Sequence, residues 1–228
     1  MTLGKVSKKT IVVHSGGMDS SLCLALVIKT FGAKNVLAMS FRYGQLHSVE
    51  LERAAKIAQY FSVDRLEVSV DCLPGLTENA LMNEGVEIEC SSGVPSTLVV
   101  GRNGLMARLA AIHADYIGAD SIYMGVIQLE SDNYGYRDCS RDYMDRLQSL
   151  LREDLNKPGF KIETPLIDMT KAQTMRLGHE LGVLTFLLEN TITCYRGIPL
   201  QGCRVCPACE LRNQGIVEFA ENNPDVTL

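Results

Sequence analysis

Strands alternating with amphipathic helices, a glycine turn between the first strand and the first helix, and four closely spaced cysteines near the end predict an α/β fold: a doubly wound, mainly parallel sheet with a small C-terminal lobe. Ile11-Val12-Val13 is a β-branched run that reads as a buried strand, and an apolar helical stretch follows from Asp19. Residues 35–41 read as a second strand, 49–61 as an amphipathic helix carrying Leu51, Ala54, Ile57, Ala58 and Phe61 on or near one face, and 65–70 as a third strand. Residues 71–101 lose periodicity under Pro74, Gly75, Gly85, Ser91, Ser92, Gly93 and Pro95, and a loop of that length reads as a cover over a ligand. A helix then runs from Gly104 to Ile117, stopped by Gly118, and Ser121 to Val126 is the fourth core strand. After an irregular stretch from Gln128 to Cys139, Ser140 caps a helix whose apolar face is Tyr143, Met144, Leu147, Leu150, Leu151 and Leu155. Lys161 to Pro165 reads as a short edge strand, and Thr170-Lys171-Ala172-Gln173 as the capping box of a helix ended by Gly182.

The 228 residues, 46% of them apolar, amount to one large domain, or one domain with a small appendage. No apolar run approaches the ~20 residues of a membrane span, and the basic start MTLGKVSKK leads directly into a strand. These features read as a cytoplasmic chain without a membrane partner. The net charge of −5 and the absence of a basic stripe argue against a nucleic-acid partner.

The strand–glycine–helix junction is where α/β proteins hold phosphate, because glycines let the backbone approach the anion and the helix N-terminus carries partial positive charge. No lysine follows the glycines as a Walker loop requires, and the spacing is not G-x-G-x-x-G. What stands there is Ser15-Gly16-Gly17-Met18-Asp19-Ser20, flanked by His14 and Ser21, a pattern similar to the pyrophosphate loop of ATP-splitting amide- and thio-forming enzymes. Its hydroxyls and N–H groups suit the β,γ-phosphates of ATP, and Asp19 suits a helix cap, Mg²⁺, or both. An ordinary glycine turn is the plainer alternative.

Cys194-x₈-Cys203-x₂-Cys206-x₂-Cys209 has the spacing of a closed tetrahedral Zn²⁺ site, structural because no position stays open. Arg196, Arg204 and Arg212 lie near enough in sequence to offset four thiolates. An iron–sulfur cluster and a redox pair are the alternatives for the same spacing.

Taken together these motifs resemble the 7-cyano-7-deazaguanine synthase family, the nitrile-forming ligases of the queuosine pathway. The resemblance runs over nearly the whole chain: the Ser15 loop, Tyr43-Gly44-Gln45-x-His47-x-x-Glu50, Gly101-Arg102-Asn103, Glu163-Thr164-Pro165-Leu166, Lys171, Thr193-Cys194-Tyr195, and the cysteines with Leu211-Arg212. It implies a Rossmann-like fold of the adenine-nucleotide alpha-hydrolase type. It further implies an ATP-binding domain over residues 1–185, and a zinc-binding segment over 186–228 with a C-terminal helix packed on it. The implied reaction joins 7-carboxy-7-deazaguanine and ammonia at the expense of ATP, with Mg²⁺, through adenylated acid and amide to the nitrile, in a homodimer. Arg102 and Lys171 are candidates for phosphate or oxyanion contacts, and Asp138 for the guanine-like edge. Two departures stand out: where the family usually carries Gly-Tyr-Pro-Asp-Cys-Arg this chain reads Gly135-Tyr136-Arg137-Asp138-Cys139-Ser140, and Val100 replaces a frequent proline. Such changes bear on substrate choice and on whether the reaction stops at the amide. A tRNA thiolation enzyme, another pyrophosphate-loop ligase and a non-catalytic nucleotide-binding module are the rival readings.

Overall fold

The computed structural model describes residues 8–45, 49–77, 79–83, 86, 90–91, 94–128 and 135–226. His47, Gly85, Ser92 and Gly93, named above, lie outside them, as does the start of the chain through residue 7.

Five parallel strands form the sheet in the order β3-β2-β1-β6-β7. They are β1 (Thr10–Val13), β2 (Val36–Arg42), β3 (Asp64–Ser69), β6 (Ser121–Met124) and β7 (Lys161–Glu163). A two-residue pair, β4 (Cys90–Ser91) with β5 (Val94–Pro95), sits apart as an antiparallel hairpin within the expected cover. The central strand β1 is buried on both faces, Ile11 against one core and Val12 against the other, as a parallel sheet covered twice requires.

Helices α1 (Met18–Phe31) and α2 (Val49–Tyr60) cover one face, with Leu22, Leu24, Val27 and Ile57 in its core. The chain then crosses to the far side of β1, and α3 (Arg102–Ile117) and α4 (Arg141–Asp154) cover the other face. Alanines 107, 110, 111 and 114 let α3 lie close against the sheet. On α4, Met144, Leu147 and Leu151 are buried, but Leu150 is 53% exposed: it lies at the edge of the apolar stripe and turns to solvent. Ser140 caps α4, accepting from the Tyr143 N–H as the sequence predicts.

Three helices finish the first face: α5 (Lys171–Glu180), α6 (Leu184–Asn190), which the sequence reading did not anticipate, and α7 (Pro207–Asn222). The capping box of α5 is complete, with Thr170 Oγ1 accepting from Gln173 N–H and Gln173 Oε1 accepting from Thr170 N–H. Helix α7 packs on α5 at Gly215, where a Cβ would strike Lys171. No helix among the described residues is long and apolar enough to cross a membrane.

Candidate functional site

The chain reverses sheet direction between β1 and β6, and a cavity of about 330 Å³ opens beyond the carboxyl ends of these strands. One end is the turn between β1 and α1. Gly16 has φ 87° and stands so close to the Glu50 carbonyl of α2 that no Cβ fits. Gly125, just past β6, would place a Cβ 2.6 Å from the Asp19 carbonyl, so β6 and the start of α1 meet only because it is glycine.

The turn's polar groups close on one another. Ser20 Oγ accepts from Ser15 N–H (3.2 Å) and lies 3.0 Å from Ser15 Oγ, which accepts from Gly17 N–H (3.3 Å). Ser21 donates its one hydroxyl hydrogen to the Gly17 carbonyl (2.7 Å), so His14 must donate Nε2–H to Ser21 Oγ (3.0 Å). Burial holds His14 neutral, its pKa lowered to about 3, with a smaller contribution from Arg65. Lys171, the first residue of α5, donates Nζ–H to Asp19 Oδ2 at 2.7 Å. Three buried polar atoms at this end have no partner: His14 Nδ1, Asp19 Oδ1 and Thr193 Oγ1. Buried polar groups are nearly always satisfied, so this end fits a polar ligand bearing both charge and donors, and Asp19 Oδ1 fits a divalent cation.

His14, Ser15, Gly17, Met18, Asp19 and Ser20 line the cavity; Gly16 and Ser21 lie behind them as braces. Lys171 and Arg102 line it as well. The Asp138 carboxylate is turned elsewhere: it is buried, and Oδ2 accepts from the Asn103 N–H in the first turn of α3 (2.9 Å), while Oδ1 has no partner. Its neighbour Cys139 does reach the cavity and accepts from Asn103 Nδ2 at 3.2 Å.

The far end is aromatic and charged. Arg102 Nη1 donates to Tyr43 OH (3.0 Å), with the guanidinium 5.3 Å from that ring. Tyr136 OH bridges Thr97 Oγ1 (2.7 Å) and Tyr195 OH (3.2 Å). Glu50, on the first turn of α2, completes this end, and desolvation raises its pKa to about 7 despite the opposing charge of Arg102. Tyr136 and Glu50 had no functional role in the sequence reading; they are far apart in the chain and meet only through the crossover of the fold. The departures at Arg137, Ser140 and Val100 all lie outside the lining: Arg137 and Val100 are exposed, and Ser140 is the cap of α4.

Tyr195, Pro207, Ala208 and Leu211 carry the cavity wall into the cysteine lobe. The sulfurs of Cys194, Cys203, Cys206 and Cys209 lie within 4.8 Å of one another, and Cys203 and Cys209 are 3.9 Å apart. A tetrahedral ion with bonds near 2.3 Å separates its thiolates by about 3.8 Å, so the quartet fits a single ion. A four-iron cubane holds its thiolates apart by its own bulk and needs a wider set. Gly202 presses on Cys209 where a Cβ would collide, and backbone N–H groups of Arg196 and Cys206 point at Cys194 and Cys203 sulfurs.

Residues 9–220 match the family model described as queuosine biosynthesis protein QueC. Among solved structures the chain is similar to the U34-tRNA thiolase NcsA from Methanococcus maripaludis with its 4Fe-4S cluster, at TM-score 0.51 and 16% identity over 98% of this chain and 70% of that one. It is also similar to the NMN synthetase from Francisella tularensis, at TM-score 0.50 and 14% identity over 100% of this chain and 91% of that one. At such identities the two structures bear on the fold alone.

Proposed function

The chain belongs to the family of the queuosine biosynthesis protein QueC, and on that premise we propose that it converts 7-carboxy-7-deazaguanine and ammonia to 7-cyano-7-deazaguanine with two molecules of ATP. The observation that carries this reading is one cavity with a self-bonded hydroxyl loop and unpartnered polar atoms at one end, and an aromatic, charged end at the other. The first suits a polyphosphate and the second a flat heterocycle.

In the first half-reaction the ring carboxylate attacks the α-phosphorus and pyrophosphate leaves. Ser15 and Ser20, released from each other, and the N–H groups at the start of α1 hold that leaving group. Lys171, anchored by Asp19, neutralises charge growing on it. Ammonia then attacks the acyl carbon, loses a proton, and AMP departs, giving the amide. In the second half-reaction the amide oxygen attacks another α-phosphorus, pyrophosphate leaves, and loss of AMP with two protons from nitrogen leaves the triple bond. Tyr136, Tyr195 and the lobe around Leu211 wall the site from water, which would otherwise intercept the adenylate. Mg²⁺, held through Asp19 Oδ1, would supply charge neutralisation at the polyphosphate. Zn²⁺, held by Cys194, Cys203, Cys206 and Cys209, would close the lobe in a structural role. With these departures outside the cavity, the lining gives no reason for the reaction to stop at the amide.

Mass spectrometry of products from 7-carboxy-7-deazaguanine, ATP and ammonium tests the reading. Nitrile with AMP supports it, amide alone removes the second half-reaction, and no AMP release overturns it. Lys171→Ala is expected to lower turnover at least about a hundredfold, and unchanged turnover would exclude Lys171 from the chemistry.

A further inference from the structure

We propose that Glu50 and Arg102 together read the edge of a fused 2-aminopyrimidin-4-one ring. The carboxylate accepts from the ring N–H and the exocyclic amine, and the guanidinium donates to the carbonyl oxygen. The proposal rests on the substrate reading above and names the groups that recognise it.

Both side chains line the cavity from different helices, α2 and α3. Among the described residues none donates a hydrogen bond to the Glu50 carboxylate, and Glu50 and Arg102 form no ion pair within 4.0 Å although their charges interact. The Glu50 carboxylate, half-buried in the cavity wall, thus has its full accepting capacity open to a ligand. Arg102 has five N–H groups, of which Tyr43 OH takes one. The pair therefore offers an acceptor beside a donor at the cavity's aromatic end. Tyr43, Tyr136 and Tyr195 surround that end, and their rings suit the face of a flat heterocycle.

An aminopyrimidinone edge presents, in order, a carbonyl acceptor, a ring N–H donor and an amine donor, which complements a guanidinium next to a carboxylate. The adenine edge presents a single amine donor next to an unprotonated ring nitrogen, so it gives the carboxylate one hydrogen bond where the aminopyrimidinone gives two. Asp138 is already committed to the N–H of Asn103, which leaves Glu50 as the acid at this end.

The test is calorimetric binding to the full chain of 7-carboxy-7-deazaguanine, of the same acid lacking the 2-amino group, and of a non-hydrolysable ATP analogue. Wild type is expected to bind the amino compound about ten- to a hundredfold more tightly than its 2-desamino analogue. Glu50→Gln should lose that preference by weakening the amino compound more than its 2-desamino analogue, with ATP-analogue affinity kept as the measure of an intact fold. A preference that survives in Glu50→Gln overturns the proposal, as does wild type showing none while it turns the acid over. Wild type that binds neither acid overturns the substrate reading itself, and this proposal with it.

Discussion

At Glu50 two effects oppose each other, and desolvation wins: Arg102 favours the carboxylate, yet removal from water carries the pKa up to about 7. The unfolded chain returns the group to about 4.5. Below that value both states hold the proton and Glu50 imposes no penalty. As pH rises from about 4.5 to 7 the unfolded state releases its proton first, so the native state loses stability across this window and the loss levels off above it. The integrated effect is on the order of 3 kcal/mol. Glu50→Gln has no such proton to lose. Its melting temperature, measured from pH 5 to pH 8, should rise relative to wild type with increasing pH and plateau several degrees higher. A constant difference over that range would mean that Glu50 is ionised throughout. His14 acts in the opposite sense: neutral in the native state with a pKa of about 3, it protonates below 6.5 only in the unfolded chain. It therefore favours the native state increasingly as pH rises towards 6.5, equally in wild type and Glu50→Gln, and it cancels in their difference.

At the scale of elements, the catalytic reading depends on where helices begin. Lys171 is the first residue of α5, so the Thr170–Gln173 capping box fixes both the helix start and the lysine's direction towards Asp19. Thr170→Ala removes one of the two reciprocal bonds and should cost about 1 kcal/mol, a fall of roughly 2–4 °C in melting temperature. If the box also aims Lys171, kcat should fall by more than that loss of stability explains, with KM for ATP little changed. A matched loss of stability with normal kcat would make the cap merely structural. This box was legible in the sequence because capping is local chemistry, as were the Ser15 turn and the Ser140 cap. Leu150 was misjudged because a stripe read from spacing has no defined edge until its neighbours are in place. Helix α6 was missed because Leu184–Asn190 is too short to show a period and lacks a side-chain cap.

Across the whole molecule, the parallel sheet and the cysteine quartet are readable from alternation and spacing, while the strand order and the Glu50–Arg102 end are not. Its members come from α2, α3 and the segments before α4 and after α6, and no local pattern joins them.

The cysteine lobe and the phosphate turn are likewise distant in sequence and joined in space. Ile192 N–H donates to the Gly16 carbonyl, Thr193 and Tyr195 line the cavity, and Cys194 opens the quartet, so four consecutive residues connect turn, ligand space and metal site. On the other side of the lobe, buried Arg212 donates to the carbonyls of Leu200 and Leu188, tying the loop between the cysteines to the end of α6. Loss of an ion held by this quartet would therefore free more than the lobe: it would loosen the wall carrying Tyr195 and Leu211. Chelation under reducing conditions should lower the melting temperature by on the order of 10 °C. It should also weaken binding of the deazaguanine acid more than of the ATP analogue, because the phosphate turn keeps its own hydrogen bonds and its packing on α2 and β6. Metal analysis of the untreated protein should find one zinc per chain and no iron. Unchanged affinity for the acid, with four thiols titrating after chelation, would show that the lobe closes the cavity without its ion.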